Sequence, residues 1–156
     1  MPRTITISDE TYEKLKDQFV DKKESKIKIY SRIDPSEIIY KSNKSTLKEA
    51  VEDANLEGVI LDYANLEGTN LMGVNLEGAN LEDVNLKNAN LKGANLEDAN
   101  LEGANLEGAN LEGANLRGAS LEYANLRGAN TEHCVVSFAS LEYEQAKQFI
   151  EGLKKY

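Results

Sequence analysis

The chain has no tryptophan, one cysteine and one histidine, and these shortages exclude whole classes of protein. A lone thiol, Cys134, can neither close an intramolecular disulfide nor furnish a multi-cysteine zinc site. Aromatic residues make up 6% of the chain, too few to stock a conventional core with large side chains. No apolar run approaches the roughly 18 residues a membrane-spanning helix needs, and no N-terminal stretch has the form of a secretory signal. A cytoplasmic protein without membrane association is therefore expected. Basic residues are scarce against acidic ones, 18 to 27, for a formal charge of −9. That balance excludes direct nucleic-acid binding through a basic face and suits basic partners instead. Also missing are a phosphate-binding glycine loop, a dinucleotide fingerprint, a zincin helix and a nucleophile elbow. No enzymatic activity, cofactor or metal is expected.

What the chain does contain is a period of five. From Ala54 to Tyr143 it reads ANLEG, VILDY, ANLEG, TNLMG, VNLEG and onward to ANTEH, CVVSF and ASLEY, 18 pentads without an insertion. The central residue is Leu in 16 of them, with Thr131 and Val136 the exceptions. Two places earlier stands Ala, Val, Thr or Cys. Five steps rotate an α-helix by about 500°, which would spread the leucines around its whole surface. On a straight strand, five steps alternate the face. The pattern makes sense only if the backbone turns once per pentad. Most pentads run Leu-Glu-Gly-Ala, with Gly at the third place of a four-residue turn, where a type II turn needs positive φ. Leu and Ala then point inward, and Asn, Glu and Gly outward. A large residue at an inward Ala such as Ala104 is expected to overpack the column.

Tandem A(N/D)LxG units resemble the pentapeptide-repeat family, and the resemblance covers roughly 90 residues. It implies an all-β solenoid, a right-handed four-sided β-helix with four pentads per coil. Eighteen pentads would give about 4.5 coils, a column on the order of 20 Å tall at sheet spacing. The array is consensus-like in its regularity.

A solenoid exposes its core at both ends unless something covers them. Residues 1–53 are read as an N-terminal α+β cap, 54–143 as the β-helix and 144–156 as a C-terminal helix. In the cap, Lys26–Tyr30 and Glu37–Tyr40 read as two strands joined by a turn at Asp34-Pro35-Ser36. Ser45 through Glu52 reads as a short helix with Ser45 as N-cap, although Glu49 falls one place late for a capping box. Further upstream, Thr4-Ile5-Thr6-Ile7 alternates, and Asp9 can cap a helix carrying Tyr12, Leu15 and Phe19. This strand and helix faintly resemble ribbon-helix-helix DNA binders, but the second helix and the basic ribbon are missing. An accessory cap or oligomerisation arm is the better reading, with Asp21–Ser25 as linker. After the repeats, Ala146, Phe149, Ile150 and Leu153 form one apolar helical stripe, read as a lid on the last coil or a homodimer contact at that end.

Four pentads per coil would also sort the outward residues into four columns. The first is Glu57, Glu77, Glu97, Arg117 and Ser137. The second is Asp62, Glu82, Glu102, Glu122 and Glu142, acidic throughout, with Tyr63, Asp83, Gly103, Tyr123 and Tyr143 at the adjoining turns. The third, Glu67, Lys87, Glu107 and Arg127, alternates in sign as a salt-bridge ladder would. The fourth is Met72, Lys92, Glu112 and Glu132. Asp62, Glu82, Glu102, Glu122 and Glu142, with Tyr63, Tyr123 and Tyr143, are thus the candidate surface for a protein partner. The resemblance supplies an alternative, since some pentapeptide-repeat proteins act as duplex-DNA mimics that bind DNA gyrase. Those relatives carry strongly acidic surfaces and often central Phe, whereas here the central residues are Leu and the outer Asn are neutral. His133 falls at an outward turn and is read as solvated; Cys134 falls inward and is read as an inert thiol.

Overall fold

A computed structural model describes residues 27–137 and 143–153. The strand and helix expected within residues 1–25, and Glu142, lie outside the described residues.

The hairpin forms as β1 (Ile27–Tyr30) paired antiparallel with β2 (Ile38–Ser42). Its turn is made by Asp34. The Asp34 carbonyl accepts from Glu37 N–H at 2.9 Å, and its carboxylate accepts from Ser36 N–H at 2.8 Å. Pro35 fits the second place of such a turn because its ring presets φ.

Helix α1 (Leu47–Leu56) is capped by Thr46, not Ser45. Thr46 Oγ1 accepts from Glu49 N–H at 3.2 Å, while the Glu49 carboxylate accepts from Thr46 N–H at 3.1 Å, a complete capping box. Glu49 is therefore in register; the cap was misplaced by one residue. The helix also runs past its expected end and takes in the first three residues of the first pentad, Ala54 to Leu56. Ala50, Val51 and Ala54 are buried, but Leu56 is 84% exposed. At 100° per residue, Leu56 stands about 200° around the helix from Ala54 and so faces away from the core. The array thus starts one pentad later than the sequence suggests, with Leu61 as its first inward leucine, which removes a quarter of a coil from the expected count.

From Leu61 to Leu126, every central leucine is at most 1% exposed. Each corner closes as expected: Ala104 N–H donates to Leu101 C=O at 3.0 Å, and the intervening Gly103 has φ +65°. Pairing between pentads has one fixed offset. Asn65 bridges Asn85, Asn85 bridges Asn105, and Asn110 bridges Asn130, all in parallel and all 20 residues apart. Leu66 N–H donates to Asn85 C=O at 2.8 Å, and Asn85 N–H to Ala64 C=O at 2.9 Å. Because a corner follows every pentad, regular strands stay short. The pair β3 (Asn115–Leu116) and β4 (Val135–Val136) is two residues long and keeps the same offset. The architecture is a β-helix solenoid in which four pentads separate paired residues.

The outward Asn positions carry more structure than neutrality. Asn95 is saturated. Its Nδ2 donates to Asn75 Oδ1 at 3.2 Å and to Glu77 Oε2 at 3.1 Å, and its Oδ1 accepts from Glu97 N–H and Asn115 Nδ2, each at 3.2 Å. The same Asn-to-Asn ladder links Asn100 to Asn80, Asn105 to Asn85 and Asn130 to Asn110. An amide can both accept from its own turn and donate to the level before it, whereas a carboxylate can only accept. Asn95→Asp removes the donor and sets a carboxylate against Glu77. It is expected to cost about 1–3 kcal/mol at neutral pH. The added carboxyl, disfavoured as an anion, has its pKa raised, so the loss shrinks as acid protonates it. Urea melts at pH 7 and pH 4 check both parts.

Both ends of the array meet non-repeat residues. At the start, Tyr30 C=O accepts from Asn65 N–H at 2.8 Å, Glu52 Oε1 accepts from Asn75 N–H at 3.0 Å, and Asn55 Nδ2 donates to Glu77 C=O at 3.2 Å. At the finish, Gln148 Oε1 of α2 (Tyr143–Leu153) accepts from Leu126 N–H at 2.7 Å. Thr131, buried in a central position, donates its hydroxyl to Phe149 C=O at 2.7 Å. Phe149 is 2% exposed and belongs to the core.

Candidate partner-binding face

The 20-residue pairing sets side chains of one column side by side, so the charge pattern can be followed level by level. Three columns contain cross-level ion pairs. Lys87 Nζ lies 3.2 Å from Glu107, Lys92 Nζ 2.9 Å from Glu112, and Arg117 Nη1 3.8 Å from Glu97. The third column was expected to pair in this way; the first and fourth do so too. Opposite charges 20 residues apart were already visible there, at Glu97/Arg117 and Lys92/Glu112.

The second column differs. Among the described residues, no ion pair joins Glu82, Glu102 or Glu122 to a basic group. Glu82 and Glu102 are half-buried and Glu122 is exposed. Asp62, at the lower end, is less available than expected. Its Oδ1 is buried and lacks a hydrogen-bond partner among the described residues. Burial, followed by the nearby Asp83 charge, holds its carboxyl above the usual range and outweighs the opposing backbone hydrogen bond. Beside it, the hairpin contributes Arg32. The Arg32 guanidinium binds Asp83 at 3.1 Å and sits 5.7 Å from the Tyr63 ring centre, within cation–π reach. No periodicity signals this contact, because Arg32 belongs to a non-repeating loop. Tyr63 and Tyr123 are both exposed at their corners, with φ of 56° and 58°, where Gly usually stands. Tyr143 opens α2, outside the corner series to which the sequence assigned it.

Of the C-terminal stripe, Phe149 is buried, Ala146 is half-buried and Ile150 is exposed; Leu153 ends the helix. His133 is exposed at its turn with φ 56°. Cys134 is partly buried, and its Sγ donates to Leu111 C=O at 2.8 Å. Burial pushes its thiol up to about 11, outweighing the opposing Ala114 amide. At pH 8 the thiolate is then on the order of a hundredfold rarer than for an unperturbed thiol. Labelling by a disulfide reagent is expected to be at least about a hundredfold slower in the folded protein than in urea, which stopped-flow absorbance measures.

An open groove of about 420 Å³ lies beside α1. Its polar groups already serve the fold: Lys44 binds Asp53 at 2.9 Å, and Glu49 closes the capping box. Among the described residues, no cluster of three or more carboxylate, thiol or imidazole groups is arranged to hold a metal ion. Nor is any described helix long and apolar enough to cross a membrane.

A profile of pentapeptide repeats matches residues 52–88, 79–118 and 94–130 in eight copies. These spans run without a break over half the chain, and the chain belongs to the pentapeptide-repeat family. Among solved structures it is similar to a pentapeptide repeat protein from the Arabidopsis thaliana thylakoid lumen, with 35% identity over 47% of this chain and 57% of that one and a TM-score of 0.37. A pentapeptide repeat protein of the cyanobacterium Cyanothece 51142 is 43% identical over 49% and 56% of the two chains, with a TM-score of 0.29. One from Nostoc Pcc 7120 is 28% identical over 67% and 93%, also with a TM-score of 0.29. The chain thus spans a little over half the length of the first two relatives. No curated protein matches it.

Proposed function

We propose that this chain is a non-enzymatic, protein-binding scaffold: a right-handed, four-sided β-helix capped by the hairpin and α1 at one end and by α2 at the other. Its partner is a basic protein surface, and its docking strip is the second column. One observation carries this reading. The other three columns bridge carboxylate to cation across the 20-residue step, whereas Glu82, Glu102 and Glu122 have no such pairing among the described residues. Like charges at sheet spacing repel by roughly 1 kcal/mol per neighbouring pair in water before screening. A cationic partner would relieve that repulsion. The test is capture from host extract by immobilised protein. The wild type should retain proteins that the Glu82→Gln/Glu102→Gln/Glu122→Gln variant releases; identical captured sets would remove the strip from consideration.

The acidic column also favours a second reading, mimicry of a DNA duplex toward an enzyme such as gyrase. Paired cations on three columns and neutral Asn ladders weigh against it, since a duplex presents charge on more than one side. Inhibition of gyrase supercoiling at tens of micromolar, the weak end of specific binding, would favour mimicry. Its absence at that concentration favours the scaffold.

A further inference from the structure

Helix α2 does not seat on the array by its apolar stripe. Among its described side chains, Phe149 and Gly152 are buried and Gln148 is half-buried, while Lys147, Ile150 and Glu151 are exposed. At 100° per residue, the face made by Gln148, Phe149 and Gly152 is turned roughly 100° from the stripe of Ala146, Phe149, Ile150 and Leu153. Apolar burial alone would have set Ile150 against the coil. Two unusual residues meet at the contact instead. Thr131 stands where Leu71, Leu91 and Leu111 stand at the levels below, all of them fully buried. Its hydroxyl, 0% exposed, donates to Phe149 C=O at 2.7 Å. Gly152 lies inside the helix, where glycine is a poor choice. A Cβ at that position would come within 2.6 Å of both Ala129 C=O and Thr131 Oγ1.

We propose that Thr131 and Gly152 form a matched key that sets where, and by which face, α2 seats on the end of the array. A buried hydroxyl needs a partner. Thr131 finds its acceptor on α2, so a departure from Leu that would merely weaken a mid-array level ties the helix to this one. Gly152 lets the helix backbone come close enough for that bond. So seated, α2 also ends the ladder. Within the array each central Leu N–H donates to a carbonyl 19 residues on, as Leu106 does to Asn125. For Leu126 the acceptor is Gln148 Oε1, a side chain in place of a further coil's backbone. Thr131 is thus a positioning residue for the lid. Restoring the repeat's own Leu there should harm the protein rather than mend it.

Hydrogen exchange on the full chain tests the key. In Thr131→Leu, amides of residues 146–153 should exchange at least about tenfold faster than in the wild type, while those of Leu71 through Asn105 stay unchanged and certify the coils. Thr131→Ser keeps the hydroxyl and should hold the helix at nearly the wild-type rate. Gly152→Ala, which improves helix propensity, should release α2 all the same. Unchanged exchange of residues 146–153 in Thr131→Leu would overturn the proposal. So would Thr131→Ser releasing the helix as fully as Thr131→Leu, or Gly152→Ala slowing its exchange.

Discussion

Leu101→Ala is expected to lower stability by about 2–5 kcal/mol, whereas Leu56→Ala should change it by no more than about 0.5 kcal/mol. Both leucines stand at the centre of an ANLEG-type pentad, and the sequence alone does not distinguish them. Leu101 is fully buried in mid-array, with no solvent-facing route by which neighbours could collapse into the space it leaves. Leu56 lies in the last turn of α1 and faces solvent. In a solenoid each level is stabilised mainly by its neighbours, so a mid-array cavity weakens the coupling above and below it. Urea melts of both variants give the comparison. A matching loss at Leu56 would mean that the first pentad packs as a coil.

The second large effect runs in the opposite direction of volume. Ala104→Leu is expected to cost about 1–3 kcal/mol, because the column has no room for the added carbons. Ala104 is 0% exposed, as are Val84 below it and its neighbouring leucines, Leu101 and Leu106. The inward small positions also change along the chain. They are Val59, Thr69, Val74 and Val84, interspersed with Ala64 and Ala79, in the early levels, and Ala throughout from Ala89 to Ala129. Ala104→Val should therefore be milder than Ala104→Leu. Thermal unfolding that placed both variants at the wild-type midpoint would show a wider interior than the burial indicates.

The repeat made most of the architecture legible. A period of five with Gly at a turn position demands a corner, and the corner closes through Ala N–H to Leu C=O as that chemistry requires. The limits of the repeat were harder to read. ANLEG at 54–58 matches the array in composition, yet Thr46 and Glu49 had already started a helix whose hydrogen bonds carry through to Leu56. Local capping chemistry prevailed over the repeat there. The Asn ladder was hidden for another reason: an outward Asn and a laddered Asn look the same in sequence, and only the 20-residue pairing brings one amide to the next. Column charges could be sorted in advance because charge is a property of single residues. Arg32 on Asp83 could not be foreseen, since it joins residues 51 apart through a loop outside the period.

The proposed role stands or falls on whether the second column binds as a particular strip or only as part of a negative surface. Two variants that each remove three negative charges separate these cases: Glu82→Gln/Glu102→Gln/Glu122→Gln on the second column, and Glu67→Gln/Glu107→Gln/Glu112→Gln on the third and fourth. The measurement is the set of host proteins retained by each immobilised variant at matched salt. The scaffold account predicts that the first variant loses the wild-type partners while the second keeps them. Equal loss from both, or retention by both, would contradict it.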